Sequence, residues 1–249
     1  MNVFIITGTS RGLGEALALK LIGRENHVYC ISRNLNTKLT EKSKEENSYL
    51  KQFDFDLTNL HGIEELMNEI FKEIDRSLLK IITLINNAGI VSPIKTIEHC
   101  TSDEIINNLS VNTMAPMILS SIFIQKLMDF EGDKRIINIS SGAGKHPFHG
   151  WSCYCSSKTA IDLFTQCVGM EQQVTKNPTK ILSFGPGIID TNMQAQIRQS
   201  KESDFIQIER FKDFKEKGLL RNPSYVADRI IELIYSNEFK QGGVIDIND

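Results

Sequence analysis

Long apolar runs are missing from this sequence. Stretches such as Val3 to Ile6 and Ile81 to Ile82 fall far short of the roughly 20 residues needed to cross a bilayer, and they read as buried strands instead. Thr7 and Gly8 interrupt the first apolar stretch at once, so no secretory leader is expected and the cytoplasm is the default location. Charge of one sign is lacking too. The 28 basic and 31 acidic residues leave a formal charge of -3, with no acidic or basic tail to recruit nucleic acid or an anionic membrane. Cysteine is sparse and unpatterned: Cys30, Cys100, Cys153, Cys155 and Cys167 form an odd set without a spaced C-x-x-C, which argues against a disulfide framework or a structural zinc site. Histidines and carboxylates form no spaced ligand set either, so no metal is expected.

What the chain does have is enough apolar material for one large core, at 249 residues and 41% hydrophobic content. Compact β-branched and aromatic runs at residues 3–6, 27–31, 52–55, 81–85, 135–139, 180–184 and 243–247 predict strands. Segments of helical spacing separate them, including 102–129, 154–174 and 223–235. Strands alternating with helices predict an α/β fold with a parallel sheet covered on both faces. Residues 38–47 are charged and polar, as in a solvated surface helix or loop. Residues 201–217 are charged yet carry Phe205, Ile208 and Phe211 at helical spacing, the pattern of a mobile flap.

The segment from Thr7 to Gly14 reads Thr-Gly-Thr-Ser-Arg-Gly-Leu-Gly and lies where the first strand meets the first helix. Backbone N–H groups and the helix dipole converge there on an anion. Gly8, Gly12 and Gly14 are the residues that permit a sharp turn, close approach of a pyrophosphate, and close helix packing. With Ser10, Arg11 and Leu13 they form the expected phosphate turn of a dinucleotide site. A carboxylate at the end of the second strand would favour NAD; this chain has Ser32 and Arg33 there. Arg33, aided by Arg11, suits a 2′-phosphate, so NADP(H) is the expected cofactor.

Tyr154 and Lys158 are spaced i, i+4 on a predicted helix, which puts phenol and ammonium on one face. An ammonium near the phenol is expected to favour the phenolate and ease proton donation, the work of a general acid in ketone reduction. Ser140 and Ser141 both stand at the end of the fifth strand, where alternation sends them to opposite sides.

Three ordered motifs now stand together: Thr7-Gly8-x-x-x-Gly12-x-Gly14, Asn86-Asn87-Ala88-Gly89, and Tyr154-x-x-x-Lys158. In these the chain resembles the short-chain dehydrogenase/reductase family over nearly its whole length, and residues 138–155 resemble its sepiapterin-reductase-like branch. The resemblance implies a single Rossmann-type domain over 1–249, a doubly wound parallel sheet of about seven strands with helices on both faces, and a substrate flap around 190–218. It implies a catalytic set of Asn112, Ser141, Tyr154 and Lys158, in which Ser141 rather than Ser140 holds the substrate oxygen. Asn112 would hold a helix kink and a water leading to Lys158, and Lys158 would also bind the nicotinamide ribose. Asp56 and Leu57 match the adenine contacts, Asn87, Ala88 and Gly89 the adenosine side, and Pro186, Gly187, Ile189 and Thr191 the nicotinamide loop. Asp190 departs from the small or apolar residue expected beside Thr191.

The activity so implied is NADPH-dependent reduction of a ketone or α-diketone, such as a benzil-like aromatic diketone, to a chiral hydroxyketone. A pterin carbonyl is the alternative substrate, and a catalytically inactive NADP(H)-sensing protein the alternative of another class. Phe148 and Trp151 are the candidates for stacking on the substrate; His146 and His149 lie near them. The helices at 102–129 and 154–174 are expected to meet those of another subunit in a homodimer or homotetramer.

Overall fold

The computed structural model describes residues 1–237 and 239–249. Seven strands, β1 (Asn2–Thr7), β2 (Asn26–Ser32), β3 (Tyr49–Asp54), β4 (Ile81–Asn86), β5 (Asp133–Ile139), β6 (Lys180–Gly185) and β7 (Gly243–Asp246), form one sheet in the order β3-β2-β1-β4-β5-β6-β7. Every neighbouring pair is parallel. The alternation of elements predicts the parallel sheet, and its order is the Rossmann-type arrangement the resemblance implies. The connecting helices are α1 (Gly12–Leu21), α2 (Thr37–Glu45), α3 (Ile63–Lys72), α4 (Ser102–Leu109), α5 (Ala115–Lys126), α6 (Ser152–Gln173), α7 (Asn192–Arg198), α8 (Ile208–Glu216) and α9 (Pro223–Tyr235). None among the described residues is long and apolar enough to cross a membrane.

Strand β1 shows why the two faces form as they do. Side chains alternate along a strand, so Val3 and Ile5 join one core with Leu66, Ile70, Leu119 and Phe123 of α3 and α5. Phe4 and Ile6 join the opposite core with Leu17, Leu21, Ala227 and Ile230 of α1 and α9. Because β1 is central and lined on both sides, it can be apolar without interruption. Its C-terminal end lies between β2 and β4, where the chain reverses its order of strand addition and leaves a crevice.

The helix expected at 102–129 is interrupted around Asn112, where the resemblance implies a kink. Between α4 and α5, Ser110–Met114 is a π turn, in which the Ala115 N–H reaches back to the Ser110 carbonyl. Pro116 explains much of this, since it has no N–H to return to the Asn112 carbonyl at helical spacing. The flap differs from expectation. Phe205 precedes α8 rather than lying on it, and Phe205, Ile208 and Phe211 are all buried in a third apolar cluster with Trp151 and Tyr154. The flap is thus seated over the C-terminal ends of the strands.

Candidate active site

A cavity of about 490 Å³ runs across those strand ends. At one end, β1 gives way to the glycine turn, where Gly8 (φ 75°) and Gly12 (φ 65°) take the left-handed backbone that excludes most side chains. Two cross-links hold the turn. The hydroxyl of Thr7 accepts the N–H groups of Asn87 and Ala88, each at 3.0 Å, and the Asn87 amide donates to the carbonyls of Thr7 (2.8 Å) and Gly8 (3.3 Å). Asn36, which the sequence reading missed, donates to Ser10 O (3.3 Å) and Glu15 Oε1 (3.0 Å) while its Oδ1 caps α2 at the Lys38 N–H. An Asn just ahead of a helical segment was the available signal.

Ser10, Arg11, Gly12, Leu13, Ser32, Arg33, Asp56, Leu57, Asn87, Ala88 and Gly89 all line this end; Gly14 lies behind it, packed on Gly8 and Asn87. Arg11 and Arg33 are exposed and carry no ion pair among the described residues, so both guanidiniums are available to an anion. Ser32 differs, because its buried hydroxyl already donates to Asn34 O at 2.8 Å. Asp56 accepts from the N–H and hydroxyl of Thr58, shaping the loop after β3. A glycine cradle with two unpaired arginines at its rim fits a phosphorylated dinucleotide.

The central part is built on α6. Tyr154 and Lys158 are both buried, with Lys158 Nζ 5.8 Å from the centre of the Tyr154 ring and donating to Ile139 O at 2.8 Å. In the π turn, the side chain of Asn112 clamps the backbone of Ile90, accepting its N–H at 2.9 Å and donating to its carbonyl at 2.8 Å. It also reaches the Ser157 hydroxyl of α6 at 3.2 Å. Asn112 therefore ties the strap after β4 to the helix carrying Tyr154. A Cβ on Gly89 would stand 3.3 Å from Asn112 Oδ1 and 3.6 Å from Lys158 Nζ, so this glycine keeps open the space between them.

The two serines separate as alternation requires. Ser140 is buried, and its hydroxyl has no partner among the described residues. Ser141 lines the cavity beside Tyr154 and accepts the Ala143 N–H at 3.2 Å. The electrostatics differ from the sequence expectation. Burial pushes the Tyr154 phenol up to about 12, with the Ser141 side chain pulling the other way, and Lys158 is not among the causes. Burial also lowers Lys158 to about 8, opposed by the Asp162 carboxylate. Desolvation outweighs the ammonium because both groups are withdrawn from water. The phenol is therefore held neutral. Asp162, one turn beyond Lys158 and accepting from Ser183 Oγ at 2.5 Å, was missed, although it repeats the i, i+4 spacing of Tyr154 and Lys158.

Beyond Tyr154 the cavity turns apolar. Pro186, Gly187, Ile189 and Thr191 line its edge after β6. Asp190 turns away from the cavity and pairs with Lys215 of α8 at 2.6 Å, which anchors the flap. Trp151 lies with one face on Phe205, ring centres 4.7 Å apart at 13°, and its edges meet Tyr154 and Phe211. It is 4% exposed, so it serves as wall more than as a free stacking platform. Phe148, half-buried beside it, has the more open ring. His146 lines the cavity and His149 does not. Met193, unforeseen in sequence, brings its sulfur to 4.0 Å from the Tyr154 hydroxyl.

Comparison with known proteins agrees with this geometry. Residues 2–202 match the family model described as short chain dehydrogenase. The chain is 45% identical over 249 residues to a Bacillus cereus protein named benzil reductase ((S)-benzoin forming), covering all of both chains. It is 27% identical to the sepiapterin reductase of Bos taurus, covering 98% of this chain and 94% of that one. Among solved structures, the KRED1-Pglu enzyme superposes with a TM-score of 0.85 at 25% identity, over 98% of this chain and 100% of that one. A parallel sheet of this order, a glycine turn at its switch point and a Tyr154–Lys158 pair on α6 accompany a family match over most of the sequence: the chain belongs to the short-chain dehydrogenase family.

Proposed function

We propose that the protein is an NADPH-dependent carbonyl reductase acting on ketones or α-diketones of the benzil type, with Tyr154 as general acid. The observation that carries this reading is the neutral, buried Tyr154 phenol set between a glycine cradle and an apolar chamber in one cavity. The reduced nicotinamide, when bound, supplies hydride to the carbonyl carbon. Tyr154 gives its proton to the carbonyl oxygen, and Ser141 donates a hydrogen bond to that oxygen as negative charge grows there. Lys158 supports the developing phenolate by its charge and holds the ribose. Asn112 keeps the strap after β4 in register with α6. Arg11 and Arg33 would hold the 2′-phosphate that separates NADPH from NADH. Five free cysteines fit a reducing compartment such as the cytoplasm. Exposed Leu163 and Met170 on α6, Val174 just past its end, and Ile106 on α4 are apolar surface suited to a homodimer or homotetramer.

The test is oxidation of NADPH with benzil or 1-phenyl-1,2-propanedione, with chiral analysis of the hydroxyketone. Turnover is expected with both. Replacing Arg11 and Arg33 by Ala should raise the KM for NADPH about tenfold relative to NADH. A wild-type preference for NADH would overturn the cofactor assignment, and turnover of sepiapterin but of no diketone would transfer the reading to pterin carbonyls. Binding of NADPH with no carbonyl turned over would leave a nucleotide sensor.

Titration supplies a second check. The reactive free enzyme holds Tyr154 neutral and Lys158 charged. On raising the pH, Lys158 loses its proton first, near 8, while Tyr154 keeps its own to about 12. kcat/KM should therefore be constant at neutral pH and fall tenfold per pH unit above about 8. A profile flat to about pH 10 would mean that burial does not lower Lys158 in the free enzyme.

A further inference from the structure

We propose that the substrate of this site carries an anionic group remote from its reacting carbonyl, received by Arg210 at the outer end of the chamber. The inference rests on the reductase reading above and names the kind of molecule that reading leaves open. Arg210 and Phe214 stand one turn apart on α8, and both line the cavity. The guanidinium sits 5.3 Å from the centre of the Phe214 ring.

The neighbouring charges are already engaged. Glu209 pairs with Lys212 at 2.6 Å, Asp213 with Lys217 at 2.5 Å, and Lys215 with Asp190 at 2.6 Å. Arg210 has no ion pair among the described residues. Of the other charged groups lining the cavity, Arg11, Arg33 and Asp56 stand at the glycine-turn end, Lys158 is buried under Tyr154, and Asp246 is paired with Lys145. The apolar chamber thus has one unpaired formal charge on its wall among the described residues, and it is positive. A guanidinium presents a planar fork matched to a carboxylate.

The wall between the reacting centre and this charge is aromatic throughout. Tyr154 meets Trp151 at 5.5 Å, Trp151 meets Phe211 at 5.3 Å, and Phe211 meets Phe214 at 5.6 Å. Arg210 follows on Phe214. A simple α-keto acid would place its carboxylate next to the reacting carbonyl, several ring contacts short of Arg210. The fitting class is instead an aryl ketone or diketone whose ring bears the anion.

Trp151 is the chain's only tryptophan and part of this wall, so ligand binding can be read from its fluorescence without turnover. The probes are benzil and 4-carboxybenzil. The wild-type protein should bind the carboxylated probe about tenfold more tightly, with the advantage shrinking as salt is raised. In Arg210→Ala the ratio of the two affinities should collapse to about one, and Arg210→Lys should restore part of it. Equal wild-type affinities for the two probes, or a ratio that survives Arg210→Ala, would overturn the inference. Turnover of benzil itself is scored separately: its absence would sink the diketone reading while the affinity ratio still judges Arg210.

Discussion

Tyr154→Phe should lower kcat/KM for diketone reduction by about a thousandfold, within the range that general acids contribute, while NADPH affinity stays within about twofold. The ring makes the packing contacts: it lies at 5.5 Å from Trp151 in an edge-on arrangement and stays in the buried cluster with Phe205 and Phe211. Among the described residues the hydroxyl has one weak partner, the Met193 sulfur at 4.0 Å. Removing it should therefore cost under about 1 kcal/mol of stability, a shift of roughly 2–4 °C at most in Tm for a chain of this size. Nor does the change touch the Lys158 bond to Ile139 O or the glycine turn. Activity loss with intact folding and cofactor binding isolates the proton donor. Reduction within tenfold of wild type would mean that the proton comes from elsewhere, and Ser141 would be the next group to test.

The contrast between Tyr154 and Lys158 shows where a sequence stops being readable. Their i, i+4 spacing placed both on one face of α6, as found. Strand positions were legible for the same reason: apolar runs bounded by turn residues leave little choice of element. Depth of burial, however, belongs to the three-dimensional surroundings. The spacing suggests an ammonium pulling the phenol toward ionisation, yet with Trp151 and the flap over it, desolvation dominates and pushes the phenol up. The kink at Ser110–Met114 was implied by the family resemblance and not by the spacing of apolar residues. Apolar periodicity runs straight through the segment, and the break depends on Asn112 finding the backbone of Ile90 22 residues earlier. Asp190 looked misplaced beside Thr191 because its partner, Lys215, is supplied by a helix 25 residues on. Contacts across the flap carry no local periodic signature.

Gly14→Ala is expected to damage the protein in a way that helix propensity alone would not foresee. Gly14 lies in the first turn of α1, where alanine ordinarily gains about 1 kcal/mol over glycine. Here a Cβ would stand 2.5 Å from Asn87 Nδ2 and 2.8 Å from the carbonyl carbon of Gly8, and closer still to that carbonyl's oxygen. Two of these three atoms are backbone at the end of β1, so no side-chain rotation relieves them. Helix α1 must lift from the sheet, straining its packing through Leu13 and Leu17 and stretching the Asn87 bonds to Thr7 and Gly8. With three atoms inside 3 Å, the overpacking cost falls at the upper end of its usual range, about 3 kcal/mol, against the propensity gain of about 1 kcal/mol. The net expectation is a loss of about 2 kcal/mol, or roughly 4–8 °C in Tm, together with at least tenfold weaker NADPH binding as the N–H groups at the head of α1 leave their positions. Gly23→Ala provides the control, since nothing lies within 4 Å of a Cβ there; its Tm should move by less than about 2 °C. Thermal unfolding and NADPH titration of the two variants decide the point. Wild-type stability and affinity in Gly14→Ala would mean that close contact between helix and strand is not what this glycine provides.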